Sequence, residues 1–281
     1  EAKALGYETR PVLLGPVTWL SLAKGRDVDP FAFLDDVLGL YSAVLTQLAH
    51  AGAEWVQIDE PILALDLDER QRAAVTRAYA KLPRLGLKIM LATYFGGLED
   101  NLTLAVNLPV AGLHLDLVRA PDQLDRILVA APKGLLLSLG VLDGRNIWRA
   151  DLSKLLDRLE PVVAKLGKDR VQIAPSCSML HVPIDLALEA KLDAEVKSWL
   201  AFSVQKIEEL AAKERAAEGG GRGGRGAALA GPPSLNPDAA DVFGRGQRGV
   251  DLRYWAMLHK PEDRDPRGFI IPADQPDFPT A

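Results

Sequence analysis

Six times along this chain a short apolar run ends in a polar or reactive residue and gives way to a stretch with helical spacing. Residues 10–18 (RPVLLGPVT) close their run at Gly15-Pro16, residues 54–61 (EWVQIDEP) at Asp59-Glu60, and residues 87–94 (LKIMLATY) at Thr93-Tyr94. Residues 112–118 (GLHLDLV) carry Asp116, residues 134–143 (GLLLSLGVLD) end at Asp143, and residues 170–177 (RVQIAPSC) end at Ser176-Cys177. Strands covered on both faces read as unbroken apolar runs, and their alternation with helices indicates a parallel sheet in an α/β fold. Ligands in such folds sit beyond the carboxyl ends of the strands. Chemistry is therefore expected at those six positions.

Between the runs, residues 30–51 open at Asp29-Pro30, where proline suits a first helical turn. Phe33, Val37, Leu40, Tyr41, Val44, Leu45 and Leu48 keep a helical period there. Residues 68–82, 101–108, 121–131 and 151–166 read as further helices, and residues 185–215 as the longest one. After residue 215 the character changes. The run GGGRGGRG at 219–226 offers nothing to bury and gives up the most entropy on ordering. The chain thus divides into a βα region, 1–215, and a Gly/Pro-rich linker or tail, 216–281, in which only residues 250–259 suggest a short helix. Six units could complete an open doubly wound sheet, whereas an eight-stranded barrel needs two more, and the abrupt start of the first strand favours the barrel. The fold expected is a (β/α)8 barrel type, incomplete, with its first units upstream of Glu1.

Composition removes several classes of function. A net charge of −5 gives no electrostatic reason to expect nucleic acid or an anionic membrane. The Arg-Gly pairs at Arg222, Arg225, Arg245 and Arg248 lack interleaved aromatics, so they read as solvated linker. No apolar run looks close to the roughly 20 residues that span a bilayer, and no leader pattern opens the chain. One cysteine, Cys177, excludes an internal disulfide and fits a reducing, cytoplasmic setting.

Several blocks taken together resemble cobalamin-independent methionine synthase: PVLLGPVTWLSLAKG (11–25), WVQIDEPIL (55–63), ATYFGG (92–97), LPVAGLHLDLVRAP (108–121), GVLDGRNIWRADL (140–152), APSCSMLHVPIDL (174–186) and LDAEVKSWLAFSVQK (192–206). The resemblance runs in order from about residue 1 to about residue 213. It implies two related barrels, with methyl transfer from methyltetrahydrofolate polyglutamate to homocysteine and a zinc held in the C-terminal barrel. This chain resembles the N-terminal barrel from its third strand, and PDFPTA at the end resembles the junction before the second barrel. The partners implied are that C-terminal barrel and, at family level, folate polyglutamate and homocysteine. No residue here matches a nameable folate-contacting motif.

The resemblance also ranks the strand-end residues. Zinc asks for about four N, S or O ligands. The family's His-x-Cys position corresponds to Leu91-Ala92-Thr93, its glutamate to Asp116 and its last cysteine to Cys177, so no metal is expected in this segment. Asp59, Glu60, Asp116, Asp143 and Cys177 are the pocket candidates, and no residue is assigned as catalytic. For Asp59, Glu60 and Asp143 the structural reading is bonding to neighbouring backbone and arginines. His181, four residues after Cys177, invites a Cys–His pair; Pro175 and Pro183 around it favour an ordinary loop histidine. His114 is expected on the strand face opposite Asp116, packed against outer helices, and His50 and His259 on helix surfaces.

The reading is a piece of a methionine synthase, structural and inactive alone. A stand-alone barrel remnant serving as a binding or regulatory module is the alternative from a different class. An independent single-barrel zinc methyltransferase would need the His-x-Cys that Leu91-Ala92-Thr93 lacks.

Overall fold

The six expected strands form one sheet, all parallel, in sequence order. In the computed structural model, which describes residue 6 and residues 9–25, 28–82 and 85–218, with side chains to Ala211, the described residues from Arg10 on belong to one compact unit. The strands are β1 (Val12–Leu14), β2 (Trp55–Asp59), β3 (Lys88–Ala92), β4 (Gly112–Asp116), β5 (Leu136–Leu142) and β6 (Val171–Pro175). Helices α1 (Pro16–Leu22) and α2 (Leu34–His50) follow β1, α3 (Glu69–Lys81) follows β2, and α4 (Leu102–Asn107) follows β3. Then α5 (Gln123–Ala130) follows β4, α6 (Leu152–Leu166) follows β5, and α7 (Ala194–Trp199) and α8 (Ser203–Glu218) follow β6.

The strand period of two sorts side chains to opposite faces. One parity (Val56 and Ile58, Ile89 and Leu91, Leu113 and Leu115, Leu137 and Leu139) packs with helix residues such as Leu45, Val75 and Ile127 in one apolar core. The other parity is largely polar: Gln57, Asp59, His114, Asp116, Ser138 and Gln172 share the inner face. β1 pairs only with β2, and β6 only with β5, so both sheet edges are open among the described residues. Val12 and Leu14 on the first edge are 55% and 39% exposed.

Three expectations change. Residues 185–215 are not one helix: a turn at Leu186–Leu188 precedes α7, and the chain extends through Leu200–Phe202 before α8. Tertiary contacts cause the break. Arg149 N donates to Trp199 O at 2.9 Å, Ala201 N to Ile147 O at 2.8 Å, and Ser203 N to Pro183 O at 2.9 Å. Leu200 and Phe202 are thereby buried beside Ile147. The βα region also ends later than expected, since α8 reaches Glu218. Finally, Pro30–His50 is 21 residues long and contains an 18-residue window with a mean hydropathy of 1.3, enough by length and composition to cross a bilayer. It carries Asp35 and Asp36 in its first turn and seats Val37, Leu38 and Leu45 in the core, as a helix packed on a sheet does. The expectations for 219–281, including the arginine-glycine pairs and His259, lie outside the described residues.

Candidate functional site

Glu60 follows β2 and is fully buried. Its Oε1 accepts from Val17 N at 3.1 Å, and its Oε2 from Thr18 N at 2.8 Å and Thr18 Oγ1 at 2.5 Å. The carboxylate thus ties β2 to the first turn of α1, and the tie needs Gly15: a β-carbon there would stand on the Glu60 side chain. Burial pushes the Glu60 pKa up to about 7 against the pull of the Thr18 and Val17 bonds. Tyr41 and Tyr79 surround this carboxylate. Burial and then Glu60 raise Tyr41 to about 12, with its hydroxyl donating to Leu14 O, and the same causes hold buried Tyr79 well above its ordinary range. The Tyr79 hydroxyl, though close to Glu60, makes no hydrogen bond of normal geometry.

Asp59, one residue earlier, points to the inner face. Gln57 Nε2 donates to its Oδ1 at 2.8 Å and Tyr94 Oη to its Oδ2 at 3.1 Å. Burial raises its pKa, partly offset by those two bonds. In place of the expected arginines, this pair of acids bonds to Gln57, Tyr94, Thr18 and the Val17 backbone.

Phe95 sits past β3 with φ +73°, a left-handed conformation that costs a non-glycine residue roughly 1–2 kcal/mol. Asp116 holds it there: Oδ2 accepts from Phe95 N at 3.0 Å, while Oδ1 accepts from Val118 N and Arg119 N at 3.0 and 2.9 Å. The Phe95 ring is 42% exposed. Tyr94 and His181 meet it edge-on at 4.6 and 5.6 Å, and the Arg145 guanidinium lies 4.9 Å from its centroid. The structure therefore gathers the ends of β3, β5 and β6 around one aromatic ring that local sequence did not single out.

His114 corrects its expectation, since positions i and i+2 of a strand share a face and Asp116 lies on its own side. Its Nδ1 is 2.9 Å from Ser138 Oγ and its Nε2 is 3.3 Å from Ser176 O. Burial lowers its pKa to about 4, so it is neutral at pH 7. Gly140 makes room: a β-carbon there would meet Leu115 O at 2.6 Å, Ser176 Cα at 2.8 Å and the His114 ring at 2.9 Å. Beyond a register shift at Gly140/Leu142, Asp143 accepts from Arg145 N and Asn146 Nδ2, both at 2.8 Å. Cys177 is buried, and burial raises its thiol pKa. His181 pairs with Phe95 rather than with Cys177.

The positions that correspond to the family's zinc ligands are engaged within the scaffold. Leu91 belongs to the outer core, Thr93 Oγ1 donates to His114 O at 2.8 Å, and both oxygens of Asp116 are engaged by backbone N–H groups. Cys177, the remaining candidate, is buried beside Ser176, and burial raises its thiol pKa. Among the described residues no three of His, Cys, Asp and Glu gather into a metal-holding group.

A family model described as the N-terminal domain of cobalamin-independent synthase matches residues 1–167. The 5-methyltetrahydropteroyltriglutamate–homocysteine methyltransferase of Nitrobacter winogradskyi is 65% identical over 217 residues, covering 75% of this chain and 28% of that protein. Its counterpart from Caulobacter vibrioides is 61% identical over 224 residues, covering 78% and 29%. The chain thus spans less than a third of these curated relatives. Among solved structures, a B12-independent methionine synthase from Shewanella sp. W3-18-1, in complex with selenomethionine, aligns with a TM-score of 0.57 at 14% identity, over 77% of this chain and 64% of that one. At that identity the likeness speaks for the fold alone.

Proposed function

The chain belongs to the family of the cobalamin-independent synthase N-terminal domain, and from that premise we propose that it is the larger part of the first barrel of a 5-methyltetrahydropteroyltriglutamate–homocysteine methyltransferase. In this role it is structural. It works within a longer polypeptide that supplies the remaining barrel wall, the metal and the reacting groups, in a reducing cytoplasmic setting. The observation that carries the reading is the 65% identity to one such methyltransferase over a stretch that is only 28% of its length.

Two features of the fold support it. The sheet has six of the eight strands a closed barrel requires, and both edge strands lack a partner among the described residues. At the strand ends the acids are spent on the scaffold: Glu60 on α1, Asp116 on Phe95, Asp143 on its own loop. Large apolar groups at these ends remain outside, with Trp19, Leu65 and Leu180 between 49% and 65% exposed. Such a rim suits contact with a second domain, the C-terminal barrel in this reading. The residues beyond α8 serve as the linker to it.

Sequencing the flanking DNA tests the domain reading: open frames on both sides encoding two upstream βα units and a downstream barrel are expected. The 281-residue chain should form no methionine from methyltetrahydropteroyltriglutamate and homocysteine, whereas the full frame should. Turnover by the short chain would overturn the structural role.

A further inference from the structure

An open cavity of about 330 Å³ lies at the ends of β4 and β5, against the start of α6, with Asn146, Trp148, Arg149 and Lys206 on its walls together with the carboxylates of Asp143 and Asp151. It is distinct from the Phe95 cluster. The broken helix creates it: with the chain extended at Leu200–Phe202, α8 begins close enough for Lys206 to reach under the loop after β5.

Lys206 is 1% exposed, and its ammonium donates to Asn146 Oδ1 at 3.2 Å and Trp148 O at 2.9 Å. Both acceptors are neutral, and an ammonium has three donors. No carboxylate among the described residues lies within ion-pair distance of it. Nearby acids have other work. Asp143 accepts from Arg145 N and Asn146 Nδ2, and Asp151 caps α6 and pairs with Lys154 Nζ at 3.2 Å. Glu209 accepts from Ala150 N and stands 4.0 Å from Arg149 Nε. Burial pulls the Lys206 pKa down, with Glu209 and Asp143 opposing from a distance. A buried cation is costly unless its donors are met. At the mouth, Arg149 adds a second cation and Trp148 a ring that is 56% exposed.

We propose that this cavity binds a small oxyanion, a carboxylate or phosphate carried on a flat body, with Lys206 and Arg149 meeting the anion and Trp148 stacking on the body. The anion completes the Lys206 donor set and charge-assisted bonds hold it there. The site is independent of methyl transfer, so binding is read directly.

Isothermal titration of the 281-residue chain with inorganic phosphate, and separately with benzoate, tests it. Saturable one-to-one binding of either at millimolar concentration is expected, and benzoate binding tighter than phosphate points to the aromatic carboxylate as the class. Arg149→Gln and Lys206→Gln should each weaken binding at least tenfold, while Lys191→Gln leaves it unchanged. Arg149 is exposed, so its variant keeps the test open should Lys206→Gln misfold. Trp148→Phe should remove any ligand-induced change in tryptophan fluorescence. No saturable binding, or binding indifferent to Arg149→Gln in folded protein, would overturn the proposal.

Discussion

Arg10 and Gln172 are 162 positions apart, on opposite edges of the sheet, yet Arg10 Nη2 donates to Gln172 Oε1 at 3.2 Å. Arg10 immediately precedes β1, and Gln172 lies in β6. The bond spans the inner face at the amino end of the strands, so the sheet curls until its edges are one arginine plus one glutamine apart. That opening is only a few strand spacings of about 4.8 Å. Burial lowers the Arg10 pKa, and its guanidinium lies 5.1 Å from the Trp55 centroid, with Lys88 Nζ 5.5 Å from the same ring. Position therefore tells on both curvature and edge stability.

Arg10→Met keeps the side-chain stem but removes this bond and the contact of the cation with Trp55. Charge-assisted hydrogen bonds are worth about 1.5–3 kcal/mol when partly buried, so a loss near the lower end is expected from urea midpoints. Amide exchange should quicken in Val12–Leu14 and Val171–Pro175 before it does in β3 or β4. Uniform quickening across all strands would show that the bond is not an edge device.

Gly15→Ala should cost roughly 1–3 kcal/mol, the usual range for inserting a carbon where none fits, because the new methyl occupies the Glu60 carboxylate position. The check is a double-mutant cycle. In a Glu60→Ala background the methyl has room, so Gly15→Ala should become nearly neutral, with a coupling of at least about 1 kcal/mol. Additive costs would mean that the loop moves away instead.

Two buried groups give opposite slopes of stability with pH. Glu60 titrates near 7 when folded against 4.5 as its ordinary value, so the folded state holds the extra proton and stability falls as pH rises between those values. The full difference is on the order of 3 kcal/mol. His114 titrates near 4 when folded against 6.5, so the unfolded state holds the extra proton. Its contribution is present above pH 6.5 and is lost as pH falls toward 4. The two offset each other in the native protein from about pH 4.5 to 6.5. Thermal melts should therefore show a steeper rise with pH in Glu60→Gln and a fall in His114→Asn over that window. Identical slopes in both variants would contradict the assignment.

The parallel sheet was legible in the sequence because each central strand carries an apolar outer parity and gives way to a helical stretch, as Ile89 and Leu91 do in KIMLA and Leu113 and Leu115 in GLHLD. The split of residues 185–215 was not. Leu192, Val196, Trp199 and Leu200 keep helical spacing, and the break comes from backbone bonds of Trp199, Ala201 and Ser203 to distant loops, which no local pattern records. The same holds for the site. That Asp59 and Glu60 end a strand is visible; that Glu60 turns back onto Thr18, 42 positions earlier, follows from β1 and β2 being neighbours. Phe95 was hidden for another reason. Its strained φ is fixed by Asp116, and a positive φ at phenylalanine has no sequence signature. The face of His114 was readable from the period of two alone.

Cys177 is buried at the end of β6 beside Ser176. Metal capture requires the thiolate, and here burial, with Asp116 and Asp143 adding to it, holds the thiol above its ordinary pKa. Cys177 should therefore react slowly with a thiol-directed disulfide reagent at pH 7, and its rate should still be climbing above pH 9, where an exposed thiol is already levelling. Zinc added to chelator-treated protein should neither protect Cys177 nor remain in stoichiometric amount after desalting. Cys177→Ser should leave the retained metal unchanged, since Asp116 already spends its oxygens on Phe95, Val118 and Arg119. Protection by zinc, or stoichiometric metal lost on Cys177→Ser, would show that Asp116 releases its backbone partners to serve as a ligand.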